Sequence, residues 1–357
     1  MTQISYQQAT ETLKDERILL VGGAGFIGHN LALELRKLGA EVMIVDNMVV
    51  NNLIANTYDA EREDKQRRVY QNFLEDRFKM MREAGIQLCN GDARIMTDIT
   101  QYFEEFKPGR VVHMSAISSA VDARINPGLC FDLQLTTLRN VLELCRSQHQ
   151  TVAQLMLMSS STVYGDFETP TVDETARPKP RGIYANAKYM AERLVRTYHD
   201  QYGQTTCIIR PSALYGERCI SRRVSQVFIE NALTGKPLRL EGGGDGRLDF
   251  TYINDLVEGM VRALGLCTQP ESSYTFNLTY GNARTIAELA KIVKSVVPSV
   301  EIEIAPRAVD KPIRGTLSTD RARDVLGFVP SYSLDVGYKQ YCEWYASDWE
   351  RVSRANT

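Results

Sequence analysis

Three side chains at two places in the sequence have the chemistry to take a proton from a hydroxyl group. Tyr184 and Lys188, in YANAK, stand four residues apart at the start of a helical pattern, so both share one helix face. A phenol with a reference pKa of about 10 is a poor base near neutrality, but an adjacent ammonium stabilises its phenolate. Ser160, in SSSTVYG (159–165) at the end of an apolar run, is placed to donate to the same substrate hydroxyl. A Tyr-x-x-x-Lys spacing is common by chance and usually marks a solvated helix face. Its position on the helix after the fifth strand-like run gives it weight.

A second constellation lies near the N-terminus. GGAGFIG (22–28) follows an apolar strand pattern and opens into NLALELRKLGA, where Leu31, Leu35 and Leu38 mark a helix. Gly22 permits a tight turn, Gly25 lets the backbone approach a pyrophosphate, and Gly28 lets the helix pack on the strand, while the helix N-terminus offers unpaired amides. An acid at the end of the next strand completes the dinucleotide pattern, and that acid is Asp46. Asp46 can accept from both adenosine ribose hydroxyls and would repel a 2′-phosphate, and Asn47 and Met48 bring no cation to offset it. NAD rather than NADP is expected, and Lys188 would also hold its nicotinamide ribose.

The elements that must carry these residues alternate between strand and helix. Strand patterns cover 17–23, 41–47, 86–92, 110–116, 153–160 and 205–212, with helical spacing over 131–147, where Leu135, Leu138, Leu142 and Cys145 recur, and over about 185–201. This predicts an α/β fold, a Rossmann-type doubly wound parallel sheet with a smaller C-terminal α/β lobe. Residues 1–210 form the NAD-binding part and 211–357 the lobe, with no long linker between them. Residues 47–85 exceed an ordinary loop. Val69, Phe73, Phe78 and Met81 in that stretch predict an amphipathic helix, either packed on the sheet edge or serving as a flap or oligomer contact.

With 357 residues, 43% of them hydrophobic and 24% charged, the chain has material for a large core, which excludes a disordered or fibrous protein. Lys plus Arg number 42 against 44 Asp plus Glu, so no global charge recommends nucleic acid or an anionic membrane as partner. No leader pattern opens the sequence and no window nears the roughly 20 apolar residues of a membrane span, so a soluble cytoplasmic protein is expected. The seven cysteines form no CxxC pair and read as reduced core fillers. His29, His113, His149 and His199 show no metal-ligand spacing, so no metal is expected, and His113 reads as a core residue.

Taken together, these motifs resemble the extended short-chain dehydrogenases/reductases of the nucleotide-sugar epimerase/dehydratase family, from Arg17 to about Pro330. The resemblance implies tightly bound NAD, regenerated each cycle, a nucleotide-diphosphate sugar substrate, and a homodimer formed through the helices at 131–147 and 185–201. It implies Ser160, Tyr184 and Lys188 as the catalytic triad. It adds Phe26, Ile27, Asn47, Asp92, Ala93, Ser115, Ala116 and Pro211 to the cofactor contacts. RPSALYGER (210–218), DFTYINDL (249–256) and DRARDVLGFVP (320–330) resemble the segments that grip the diphosphate. Substrate candidates are Ser118, Ser161, Thr162, Ala213, Arg218, Arg222, Arg223, Arg247 and Arg314. Leu248 stands where the family often has an Arg, and Ala213 where it often has an Asn.

Within the family, dehydratases carry an Asp-Glu or Ser-Glu pair after the catalytic hydroxyl, because elimination needs its own acid and base. Ser161 and Thr162 occupy that place here, which favours C4 epimerisation through a transient 4-keto sugar. The alternatives are 4,6-dehydration, uronate decarboxylation, 3- or 5-epimerisation and, more remotely, a non-catalytic NAD-sensing regulator. Asp249 and Asp255 read as groups that orient backbone or a neighbouring Arg.

Overall fold

A computed structural model describes residues 3–50, 53, 59, 62–148, 151–266, 273–307 and 312–354. Among them seven parallel strands form the central sheet: β1 (Arg17–Val21), β2 (Glu41–Asp46), β3 (Gln87–Asn90), β4 (Arg110–His113), β5 (Gln154–Met158), β6 (Thr206–Arg210) and β7 (Ser273–Asn277). Their order is β7-β6-β5-β4-β1-β2-β3. The order reverses between β1 and β4, and the crevice beyond the strand C-termini at that point is where such sheets bind ligands.

The inner strands β1, β2, β4, β5 and β6 are buried along nearly their whole length because both faces are covered, while the edge strands β3 and β7 are less so. Helices α1 (Tyr6–Leu13), α2 (Phe26–Lys37) and α3 (Asp64–Glu83) pack on one face, and α4 (Met96–Phe106), α5 (Thr137–Ser147) and α6 (Gly182–Tyr202) on the other. Alternate residues of β1 serve the two layers: Ile18 and Leu20 meet Leu31, Leu35, Val69 and Phe73, while Leu19 and Val21 meet Phe103, Leu138, Leu142 and Val195. From the C-terminal part, α7 (Val224–Leu233), α8 (Ile253–Leu266) and α9 (Lys339–Arg354) join the first layer.

All six expected strands form. The seventh, β7, comes from the stretch assigned to the smaller lobe and extends the sheet beside β6. The expected helix at 131–147 is longer: Pro127–Phe131, a π-helical turn at Asp132–Thr136 and α5 run end to end. Within 47–85 the helix forms as α3, with Val69, Phe73 and Met81 buried and Phe78 partly so. Much of 51–61 lies outside the described residues, as do Cys267 and His149. Cys130, Cys145, Cys207, Cys219 and Cys342 are buried and Cys89 half-buried. Among the described residues no helix is long and apolar enough to cross a membrane.

The two parts of the chain are stitched by short strands. Thr171–Val172 pairs in parallel with Thr316–Leu317, which brings a late segment against the loop after β5.

Candidate active site

The cofactor cradle is built where β1 runs into α2. Gly22 has φ 75°, and a Cβ there would lie 2.6 Å from the Ser115 backbone nitrogen. A Cβ on Gly28 would lie 2.2 Å from the Gly23 carbonyl oxygen, so turn and helix approach closely only because no side chain intervenes. Gly25 caps α2 without a side-chain hydrogen bond, so no side chain competes for the first amides beside Phe26 and Ile27. At the end of β2, Asp46 Oδ2 accepts from the Ala24 amide at 3.0 Å and Oδ1 from the Met48 amide at 2.8 Å. Burial pushes its carboxyl pKa up, and the two amides oppose that shift. Each oxygen keeps a lone pair for a ribose hydroxyl. Open amides, a gap that only backbone fits, and a carboxylate beyond them match a pyrophosphate and its adenosine ribose.

The adenine-side candidates join this group. Asn47 Nδ2 donates to Asp92 Oδ2 at 3.2 Å. Hydrogen bonds from the Arg94 guanidinium hold the Asp92 carboxyl down to about 2. Ala93 is buried, and its carbonyl accepts from Asn140 Nδ2 at 2.9 Å. Ser115 stands against Gly22, and the half-buried Ala116 follows it.

Tyr184 and Lys188 sit in the first two turns of α6, which is held against the sheet layer by Ala191 and Val195, while Ala187 packs with Ile117, Ala123, Cys130 and Leu133. Lys188 is buried, its Nζ donates to the Met158 carbonyl at 2.8 Å, and it stands 5.9 Å from the centre of the Tyr184 ring. That bond ties the helix to the end of β5, two residues before Ser160. Ser160 Oγ accepts from the Thr162 amide at 3.2 Å and from Thr162 Oγ1 at 3.0 Å. With two donors already directed at it, the Ser160 oxygen has its own proton left for a substrate oxygen. The Ser161 amide donates to the Pro211 carbonyl at 2.9 Å, which brings Pro211 alongside.

Burial pushes the Lys188 ammonium down to about 8, opposed by Cys130 and Glu192. Lys188 is therefore cationic below that pH and neutral above it. In the catalytic role expected of it, Lys188 acts through that charge, so kcat/KM is expected to fall as pH rises through about 8. A pH–rate profile checks this, and in Lys188→Arg the same alkaline limb should be absent.

The candidate arginines divide. Arg223 Nη2 donates to the Ser118 carbonyl at 2.7 Å, and Arg314 Nη1 to the Ser161 carbonyl at 3.1 Å, so both reach the segments that carry the site. Ala213 lies two residues beyond Pro211 with φ 35°. Arg247 Nη1 donates to the Ala283 carbonyl at 3.2 Å. The structure does not bring Arg218 and Arg222 into that group. The Arg218 guanidinium carbon lies 5.6 Å from the Trp344 ring centre, with Nε 4.0 Å from Asp76, and Arg222 Nε is 3.2 Å from Glu230.

Asp249 and Asp255 do orient backbone. Asp249 accepts from the Leu317 and Gly281 amides at 3.0 and 3.1 Å, and Asp255 from the Ser331 and Tyr332 amides at 2.8 and 3.0 Å. His113 is a core residue. Thr137 Oγ1 donates to the Leu133 carbonyl, which assigns the proton of the 2.8 Å His113–Thr137 bond to Nε2. Among the described residues no group of three or more His, Cys, Asp or Glu is arranged to hold a metal ion.

One component escaped the sequence reading. Glu192, one turn beyond Lys188, is fully buried. It accepts from Ser159 Oγ at 2.6 Å and from Arg210 Nε and Nη2 at 2.8 and 2.6 Å. Arg210 Nη1 donates to the Tyr164 hydroxyl at 2.9 Å, and that hydroxyl donates to Asn277 Oδ1 at 2.8 Å. The network locks the segment just after β5 that bears Ser160 to the helix bearing Tyr184. Its signal was the Tyr184, Lys188, Glu192 spacing, which sets all three on one face.

Sheet order, glycine turn and the Tyr-Lys helix define a Rossmann-type enzyme of the extended short-chain dehydrogenase/reductase class. The chain belongs to the NAD dependent epimerase/dehydratase family, whose pattern it matches over residues 18–279, and NAD is the cofactor of that family. Among curated relatives, UDP-glucuronic acid decarboxylase 2 of Arabidopsis thaliana is 29% identical over 332 residues, 91% of this chain and 67% of its own length. UDP-glucuronate 4-epimerase 2 of the same organism is 26% identical over 350 residues, 92% of this chain and 75% of its own length. Among solved structures, the UDP-glucose 4-epimerase of Thermus thermophilus in complex with NAD is 26% identical, with a TM-score of 0.75 over 92% of this chain and 98% of that one. The protein is thus an enzyme of a family that works on nucleotide sugars.

Proposed function

We propose that this enzyme is a nucleotide-sugar 4-epimerase acting on a UDP-hexuronate. The observation that carries the reading is Thr162, whose hydroxyl is engaged with Ser160 where elimination would need a carboxylate. The UDP-glucuronate substrates named for two relatives support the substrate class.

NAD, when bound, would supply a reversible acceptor for the hydride lost from C4 and regained there. Tyr184 Oη takes the proton of the C4 hydroxyl, its negative charge stabilised by Lys188. Ser160 donates to the same oxygen and holds it as the carbonyl develops. Rotation of the 4-keto sugar presents its other face, and Tyr184 returns the proton to the C4 oxygen. Arg223 and Arg314, beside Ser118 and Ser161, are the cations this reading assigns to the anionic parts of the substrate. The reading includes pairing of two copies through α5 and α6, which Met190 and Tyr202, exposed on α6, support.

The test is incubation with UDP-glucuronate in heavy water. An isomer of unchanged mass without carbon-bound deuterium is the expected product. Loss of carbon dioxide would make the enzyme a decarboxylase, and deuterium on carbon would move the epimerisation to a centre beside the ketone.

A further inference from the structure

The segment after Tyr215 holds two non-glycine residues in left-handed backbone, Arg218 at φ 61° and Arg222 at φ 44°. L residues disfavour that region, so surrounding contacts must hold them there. Many of those contacts come from α3, the helix of the 47–85 stretch. Arg77 Nε donates to the Arg218 carbonyl at 3.1 Å, and Nη2 donates to the same oxygen. Asp76, beside it, lies 4.0 Å from Arg218 Nε. Arg222 is held by its amide on Gln226 Oε1 at 3.1 Å and by Glu230. Glu230 in turn accepts from Gln66 Nε2 and the Tyr70 hydroxyl of α3, each at 2.5 Å.

The buried face of α3 therefore holds Arg218 directly and Arg222 through Glu230. The next residue, Arg223, makes the 2.7 Å bond to the Ser118 carbonyl, three residues from Ser115 on the cofactor turn. Arg77 is itself fully buried, an expensive location for a guanidinium that a purely structural helix contact does not require.

We propose that Arg77 is a positioning residue: by holding the Arg218 carbonyl it sets the 218–223 loop so that Arg223 stands at the Ser118 edge of the cleft, and so sets affinity for the substrate diphosphate. The proposal rests on the nucleotide-sugar reading above. It makes α3 a brace for residues 218–230, in addition to a helix that covers the sheet.

The experiment titrates UDP into the NAD-loaded enzyme by calorimetry and measures steady-state kinetics alongside. In Arg77→Gln, affinity for UDP is expected to fall about tenfold, the loss from one misplaced charge-assisted contact, with kcat changed less than about twofold. Arg77→Lys should restore part of the affinity. Limited trypsin digestion should cut at Arg222 and Arg223 sooner in Arg77→Gln than in the wild type. Should Arg77→Gln fail to fold, Asp76→Asn loosens the same loop from the surface and is expected to weaken UDP in the same direction. Equal UDP affinity in the wild type and the folded variant, or a kcat loss as large as the affinity loss, would overturn the proposal alone. Absence of UDP binding to the wild type would overturn the UDP-hexuronate reading and the proposal with it.

Discussion

Tyr184→Phe should lower turnover by about 10²–10⁴-fold, the range for loss of a positioned proton-transfer group, and leave NAD bound. The substitution removes one oxygen and keeps the ring. That ring packs with Ile117, Ala123, Cys130, Leu133 and Ala187, and none of these contacts needs the hydroxyl. Lys188 keeps its bond to the Met158 carbonyl, so the geometry of the cofactor side survives. What disappears is the oxygen to which the proposed mechanism assigns the proton. Turnover measured beside NAD content in the purified variant checks this, and activity within tenfold of wild type would remove Tyr184 from the role. The same variant separates an enzyme from an NAD-sensing regulator, whose output would persist.

Glu192→Gln should destabilise the fold by about 3–5 kcal/mol, the usual cost of leaving a buried partner charge uncompensated. Arg210 is only 2% exposed, so its charge has no solvent to turn to. Burial alone would lower its pKa, yet the Glu192 carboxylate reverses that and holds it above its ordinary value. Replacing both partners by apolar residues, as in Glu192→Leu with Arg210→Met, should cost much less, because no charge is then stranded. Denaturant unfolding of the single and double variants measures the difference. Turnover should fall in the single variant as well, because Glu192 also receives Ser159, the neighbour of Ser160.

The parts legible in the sequence are those whose signals are local. The glycine turn, Asp46 and the Tyr184–Lys188 pair each lie within one strand-turn-helix or one helix face: the turn joins β1 to α2, Asp46 ends β2, and the pair sits at the start of α6. The strand at 273–277 was not legible. SYTFN has too few apolar residues to stand out, since β7 lies at the sheet edge and pairs only with β6. The arginines were not separable either. The five candidate arginines of the C-terminal part look alike in the sequence, whereas only the fold reveals that Asp76 and Glu230 already engage Arg218 and Arg222. The amphipathic pattern of α3 showed a buried face, but not that Gln66, Tyr70 and Arg77 on it bond to residues 218–230.

The late position of β7 bears on synthesis of the chain. Once Thr206–Arg210 has left the ribosome, its outer edge presents unpaired backbone groups until Ser273–Asn277 follows and pairs with it. Thr316–Leu317 emerges later still, and with it Arg314, the residue that reaches Ser161. A nascent chain halted between these points carries an open sheet edge, prone to association, and an unfinished cleft, so both are completed only after residues 273–277 and 314–317 have been made.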